Sequence, residues 1–261
     1  MRRPLLLAGA ALAALFALAC SDSADEPLTA EQAAAIVEAG LLTEEDLPSS
    51  TWTVTDSAAD DDTAGDTADS APDADDMFGD TAACQELEAA IEDLVGDENA
   101  ADTPALAEGE RTFEAGGGDS LVVRSVQSSV SVPADSTDVE AGFEALRKVF
   151  NAETLRPCFE EGFMASFTEG SEGTEGITVT ELEVTEPATI ARDGVGVALD
   201  FTAIAFIIPI ELHLEMHFWP QGDAVGSLMI MEMNSELLRD GAADLLTAAE
   251  ARLAEAVEAN R

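Results

Sequence analysis

Three consecutive strand-like apolar segments, Val195–Ala205, Ile210–Phe218 and Ala224–Met233, constrain this chain more than any other feature. The links between them, Phe206–Pro209 and Trp219–Asp223, are too short for a crossover helix, so the strands must run antiparallel. Further strands are expected at Arg111–Ala115 and Ser120–Val132, joined by Gly116-Gly117-Gly118-Asp119 as a hairpin turn. Another is expected at Ile177–Thr185, where the apolar parity switches from Ile177 and Val179 to Leu182 and Val184. A bulge near Thr180 accounts for that switch.

Helical spacing appears before, between and after these strands. Thr29 and Gln32 have capping-box spacing at the head of a helix that Gly40 ends, and Leu41 to Pro48 read as a capped single turn. Trp52 to Val54 is a short strand candidate. Leu87, Ile91 and Leu94 place a stripe on a helix from Asp80 to Val95. Ser136 to Asn151 forms another helix, with Thr137 and Glu140 as its capping pair, and a further piece runs past Pro157 to Phe163. Leu238, Ala242, Leu245, Ala249, Leu253 and Ala256 share one face of a closing helix. The whole predicts an α+β fold: an antiparallel β-sheet of about six strands with helices packed mainly on one face.

The amino terminus sets the compartment. Arg2 and Arg3 precede an apolar run from Leu5 to Ala19. At roughly 15 residues it is too short for a permanent span and fits the core of a cleaved signal peptide. Ala17-Leu18-Ala19-Cys20 resembles the bacterial lipobox, whose cysteine is diacylated and becomes the mature N-terminus, although Ala17 stands where the family prefers leucine. Ala17-x-Ala19 also fits an ordinary secretory cleavage site. Residues 1–19 are therefore read as a signal peptide, 20–28 as a tether and 29–261 as a single α+β domain. With Cys20 acylated, Cys84 and Cys158 remain as an even pair in an oxidising compartment, available for a disulfide. The chain-entropy model credits so long a closed loop with roughly 4 kcal/mol. Two buried unpaired thiols are the other reading. No C-x-x-C spacing suggests zinc or thiol redox chemistry.

Charge excludes some partners. The chain carries 54 acids against 11 Lys and Arg, for a net charge of −43, and Lys148 is its lone lysine. Such a chain repels phosphate backbones, so no nucleic-acid partner is expected. Nor can charge hold it on anionic lipid, which leaves attachment to the acyl anchor. An acidic insertion at about 56–79, made of Asp, Ala, Thr, Ser, Gly and Pro until Met77, is expected to be disordered. Its aspartates do not follow the calcium-loop pattern.

Four residues form the most ordered polar pattern. Strand alternation sends Glu211, His213, Glu215 and His217 to one face and Ile210, Leu212, Leu214, Met216 and Phe218 to the other. Both histidines of the protein lie here. A His and a Glu two residues apart can converge on one metal ion, whereas His213 and His217, roughly 13 Å apart, cannot share one on a straight strand. The plainer reading is the solvated face of a one-sided sheet. Met229, Met231 and Met233 share one strand face and Met216 lies on the neighbouring strand, as soft copper ligands or, more simply, as core or the lining of an apolar pocket. Val195 to Ile210, apolar over much of both faces, needs cover on each side: helices on one, and sheet curvature, a partner or an apolar ligand cavity on the other.

Nucleophile motifs are missing. Gly170-Ser171-Glu172-Gly173 lies in a polar stretch and is not a nucleophile elbow, and the Gly116 run joins strands instead of cradling phosphate. A non-enzymatic chain without cofactor is expected.

The layout resembles the sensor-domain-like lipoproteins of actinobacterial type, loosely related to the extracellular sensor domain of mycobacterial Ser/Thr kinases. The resemblance rests on Leu41-Leu42-Thr43, Asp46-Leu47-Pro48 and Trp52, on Cys84 at a helix start, and on the Val122–Val132 strand leading to Phe150 and Cys158. Gly194-Val195, Ala198-Leu199, Gly222-Asp223-Ala224-Val225 and the alanine-rich closing helix complete it. It implies an α+β domain with a cleft over a sheet, binding an unknown small-molecule or lipid-like envelope ligand, and it brings no catalytic residues. This chain differs in having one disulfide candidate, the acidic insertion, and no kinase or membrane-spanning portion.

Overall fold

Two antiparallel meanders meet along their last strands. In the computed structural model the described residues are 27–48, 52–58, 81–95, 105–116, 121–134, 139–163, 177–205 and 207–261. The first meander comprises β1 (Thr53–Ala58), β2 (Ala105–Gly116) and β3 (Val123–Pro133); the second comprises β4 (Ile177–Thr185), β5 (Val195–Ala205), β6 (Ile208–Gln221) and β7 (Ala224–Met233). β3 pairs with β7, giving one 7-stranded antiparallel sheet in the order β1-β2-β3-β7-β6-β5-β4. The helices are α1 (Ala30–Gly40), α2 (Ala82–Val95), α3 (Val139–Val149), α4 (Ala152–Cys158) and α5 (Leu237–Asn260).

Several local expectations hold. The Thr29–Gln32 capping box starts α1, and Thr43 and Asp46 form a second one around a single 3-10 turn. The β4–β5 register shifts between Val179 and Glu181, placing the bulge at Thr180. It lies on an edge strand, where a bulge discourages pairing with other chains. All six residues of the closing helix's expected stripe are buried.

Other boundaries differ. β2 begins at Ala105, ahead of the expected start at Arg111, and β1 runs on to Ala58, into the expected acidic insertion. The remainder of that insertion, the Gly117–Asp119 turn and the Thr137 cap lie outside the described residues, as does Cys20. β6 begins at Ile208 and keeps pairing through Gln221, so Pro209 and Trp219 belong to the strand and not to its connections.

The helices cover both faces of the sheet, not mainly one. On the first face α1 and α5 pack on Phe113, Val126, Val130, Trp219, Leu228 and Ile230. On the second, α2, α3 and α4 pack on Val184, Val195, Val197, Leu199, Met216 and Phe218. Strand parity keeps the two sets apart, since Trp219 and Phe218 are successive residues of β6. The layers are also offset: α5 lies over β7, while α4 lies against β4. The Cys84–Cys158 disulfide ties α2 to α4, with the Cα atoms 4.4 Å apart. Arg156 of α4 donates to the Val184 carbonyl of β4 at 2.9 Å.

α1 and α5 need no covalent tie. Gly40 lets them approach: a Cβ there would stand 3.0 Å from Leu253. Gln32 donates to the Asn260 carbonyl, and Arg252 donates to Asp46 and Thr43. Burial opposes ionisation of Asp46, but the hydrogen bonds from Arg252 and Thr43 outweigh it and lower the carboxyl's pKa. Gly226 leaves room for the Trp219 indole, which a Cβ would meet at 2.4 Å.

Candidate functional site

The offset of the two layers leaves the first face of β4, β5 and β6 beyond the reach of α1. Chain alternation puts polar residues there. One row crosses the sheet from β4 to β3: Glu183 faces Asp200, Asp200 faces His213, His213 faces Glu232, and Glu232 faces Arg124. A second row sets Glu215 between Ala198 and Ile230.

His213, Glu215 and His217 are not a solvated face. All three are buried, His217 to 1% exposure. Glu215 bridges the histidines, with Oε1 at 3.0 Å from His213 Nε2 and Oε2 at 3.1 Å from His217 Nε2. His213 Nδ1 lies 2.9 Å from Asp200 Oδ1. The Arg239 guanidinium, from the first turns of α5, donates to both Asp200 oxygens at 2.6 and 2.7 Å. A chain of alternating charge thus runs Arg239, Asp200, His213, Glu215, ending at His217.

Each group's protonation follows. Both ring nitrogens of His213 face carboxylates, so both carry protons that they donate. Burial alone would lower the imidazole's pKa. The hydrogen bonds to Glu215 and Asp200, with their charges, overcome this and raise it. For Glu215 burial would raise the pKa, but the hydrogen bonds from His213 and His217 bring it to about 2. His217 Nδ1 has no partner, so the tautomer protonated on Nε2 satisfies Glu215 and leaves Nδ1 as a bare lone pair. Gly196 makes room for this ring, because a Cβ there would stand 3.0 Å from Nδ1.

Glu232, 0% exposed, serves the fold. Its oxygens accept from the backbone N–H groups of Leu238 and Arg239 at 3.0 and 2.8 Å. It caps α5 from the neighbouring strand and complements the positive end of the helix dipole. Glu236, in the N-cap position, makes no side-chain cap. Asn234, in the left-handed region at φ 53°, turns the chain between β7 and α5 and exchanges hydrogen bonds with Glu211.

A cleft of about 230 Å³ opens above this network, lined among others by Glu181, Glu183, Asp200, Glu211, His213 and Arg239. Glu211 stands exposed on its wall, apart from the buried chain. No group of three or more His, Cys, Asp or Glu side chains among the described residues is arranged to hold a metal. The donor chemistry agrees: both nitrogens of His213 and both oxygens of Glu215 are already engaged. Nor has His213 a free nitrogen to take a proton from a nucleophile. Ser235, also on the cleft, accepts from Arg124 at 2.9 Å.

The methionines lie on the opposite face. Met216 and Met229 are register partners, the first within the second core and the second packed against it. Met231 and Met233 are half-buried further along.

Sequence reasoning missed Asp200 and Arg239. A signal for Asp200 existed, as the one acid inside an otherwise apolar segment. A four-residue turn over Phe206–Pro209 sets Asp200 opposite Glu215, where like charges repel, whereas the observed register, with Ala205 opposite Ile208, sets it opposite His213. The sequence matches no family model and no curated protein.

Proposed function

We propose that this chain is a membrane-anchored lipoprotein of the cell envelope, non-enzymatic, with a sensor-like domain that binds a small ligand on the extracytoplasmic side. The observation that carries the reading is the Cys84–Cys158 bond, which belongs to an oxidising compartment and leaves Cys20 as the cysteine for acylation. The signal-peptide pattern and the resemblance to sensor-domain-like lipoproteins agree with it. Among the described residues no helix is long and apolar enough to cross a membrane.

The cleft over β4, β5 and β6 is the candidate binding place. Its walls are acidic, with Arg239 and His213 at its base, so its occupant is a polar molecule with positive charge or several donors and not a lipid-like one. The metal-handling alternative on the Glu211–His217 face requires His213 and Glu215 to surrender their mutual hydrogen bond. A hydrolase requires a nucleophile that His213, held on both nitrogens, cannot activate.

Mass spectrometry of the amino-terminal peptide from the producing cell tests the anchor. The expected peptide begins at Cys20 and carries a diacylglyceryl thioether. A peptide beginning at an unmodified Cys20 means plain secretion, and retention of residues 1–19 in the mature protein overturns the envelope reading.

A further inference from the structure

The floor of the cleft over β4, β5 and β6 holds a charge that can be removed. Two cations stand there, His213 and Arg239. A guanidinium keeps its proton at any working pH, so His213 alone can discharge. Its ring is buried, but its Nδ1 donates at 2.9 Å to Asp200, which is only half-buried and lines the cleft.

Carboxylates face this ring from each neighbouring strand. Glu211 and Glu215 flank it on β6, Asp200 and then Glu183 stand across β5 and β4, and Glu232 stands across β7. Most of these groups are already engaged. Glu232 accepts from the backbone of α5, Arg124 beyond it donates to Ser235, and Glu215 accepts from both histidines. From α5, Arg239 holds Asp200, and Glu236 lies on the cleft wall. Glu181, Glu183 and Glu211 are different. They stand exposed on the wall, and among the described residues their carboxylates have neither a hydrogen bond nor an ion pair.

Register sets the spacing of these three acids. Glu181 and Glu211 pair with Thr202 from opposite sides, which puts their strands about 10 Å apart, and Glu183 lies about 7 Å along β4. Acids spread this widely suit two separate charges better than one metal ion, whose ligands all lie within about 2.0–2.6 Å of it. A short organic molecule with a cationic N–H donor group at each end meets Glu211 with one end and the β4 acids with the other.

We infer that the cleft takes a small organic dication in exchange for the Nδ1 proton of His213. The inference rests on the reading of the cleft as the binding place. A ligand charge beside Glu211 stands about 7 Å from the ring and repels the imidazolium. The Nδ1–H bond breaks and the proton leaves past Asp200 to solvent. The neutral ring keeps its Nε2 proton on Glu215, and Asp200 keeps Arg239, so each carboxylate retains a donor. Burial favours this discharge, while the hydrogen bonds to Glu215 and Asp200 oppose it and hold the proton until a ligand arrives. Linkage is reciprocal, so acidification expels the ligand.

The test uses the full chain from Cys20, unacylated, and 1,4-diguanidinobutane, whose guanidinium groups keep their charge throughout. Calorimetric titrations in buffers of different ionisation heat count the protons released, and ring ¹⁵N shifts follow His213 with and without the probe. Saturation is expected to move the His213 titration to lower pH, and affinity to rise about tenfold or more as pH rises through that titration. Glu211→Gln is expected to weaken binding about threefold or more. Glu255→Gln, near the far end of α5, is expected to leave it unchanged. Both residues are exposed, so neither change disturbs the core. Binding that Glu211→Gln weakens, with the His213 titration unmoved, overturns the exchange and leaves the cleft reading standing. Binding that both substitutions weaken alike is general attraction to an acidic surface and overturns the cleft reading together with the inference, as does a probe that binds at no pH.

Discussion

The first face of the sheet is buried in two different ways. Over β2, β3 and β7 it is apolar, closed by α1 and α5 on Phe113, Val126, Leu228 and Ile230. Over β5 and β6 it is charged, with Asp200, His213, Glu215 and His217 on the same face and His217 as well buried as the core leucines. The contrast shows that burial selects for satisfied groups, not for apolar ones as such. At the apolar end each side chain is interchangeable in kind with its neighbours. At the charged end each group is tolerable only beside its partner, and removing one leaves an unbalanced charge.

That asymmetry can be broken from either side. Glu215→Ala strips the bridge from two buried histidines and should cost about 3–5 kcal/mol in denaturant unfolding. Leu253→Ala at the apolar end should cost about 2–5 kcal/mol, through lost contacts and a residual cavity. Restoring a volume-matched apolar residue rescues the second site, whereas Glu215→Gln, which keeps the shape but not the charge, is expected to rescue the first only in part. Gly226→Ala presses a methyl into the Trp219 indole and should cost about 1–3 kcal/mol, read as a fall in melting temperature.

Stability against pH separates the two ends without mutation. Glu215 has a lowered pKa, so its contribution is complete above the unfolded carboxyl value and is lost as pH falls toward about 2. His213 has a raised pKa, so its contribution is complete below the unfolded imidazole value and is lost as pH rises through the folded one. The wild type should therefore be most stable between about pH 4.5 and 6.5 as far as these two groups decide. Replacing both by apolar residues should flatten both limbs, which calorimetry across pH would register. Thr29→Ala, remote from the charged end, removes one cap of α1 and should cost about 1 kcal/mol at every pH.

Much of the fold was legible because it is local. Capping pairs at Thr29 and Thr43, the bulge at Thr180 and the stripe from Leu238 to Ala256 each follow from residues a few positions apart. The placement of helices on both faces was not, because Val195 to Leu199 carries no polar side chain at either parity and names no partner for either side. Burial of His213, Glu215 and His217 escaped for a related reason: alternation of polar and apolar residues fits a solvated face and a charge-balanced buried one equally well. What distinguishes them comes from afar, from Asp200 through the hairpin register and from Arg239 through the start of α5. A register misplaced by two residues was enough to hide the pairing.

Ring ¹⁵N shifts of the two histidines followed against pH test the balanced charge chain most directly. His213 should hold both ring protons to a pH above the ordinary imidazole titration, while His217 shows its proton on Nε2. A His213 that loses a proton at or below the ordinary value would contradict the account.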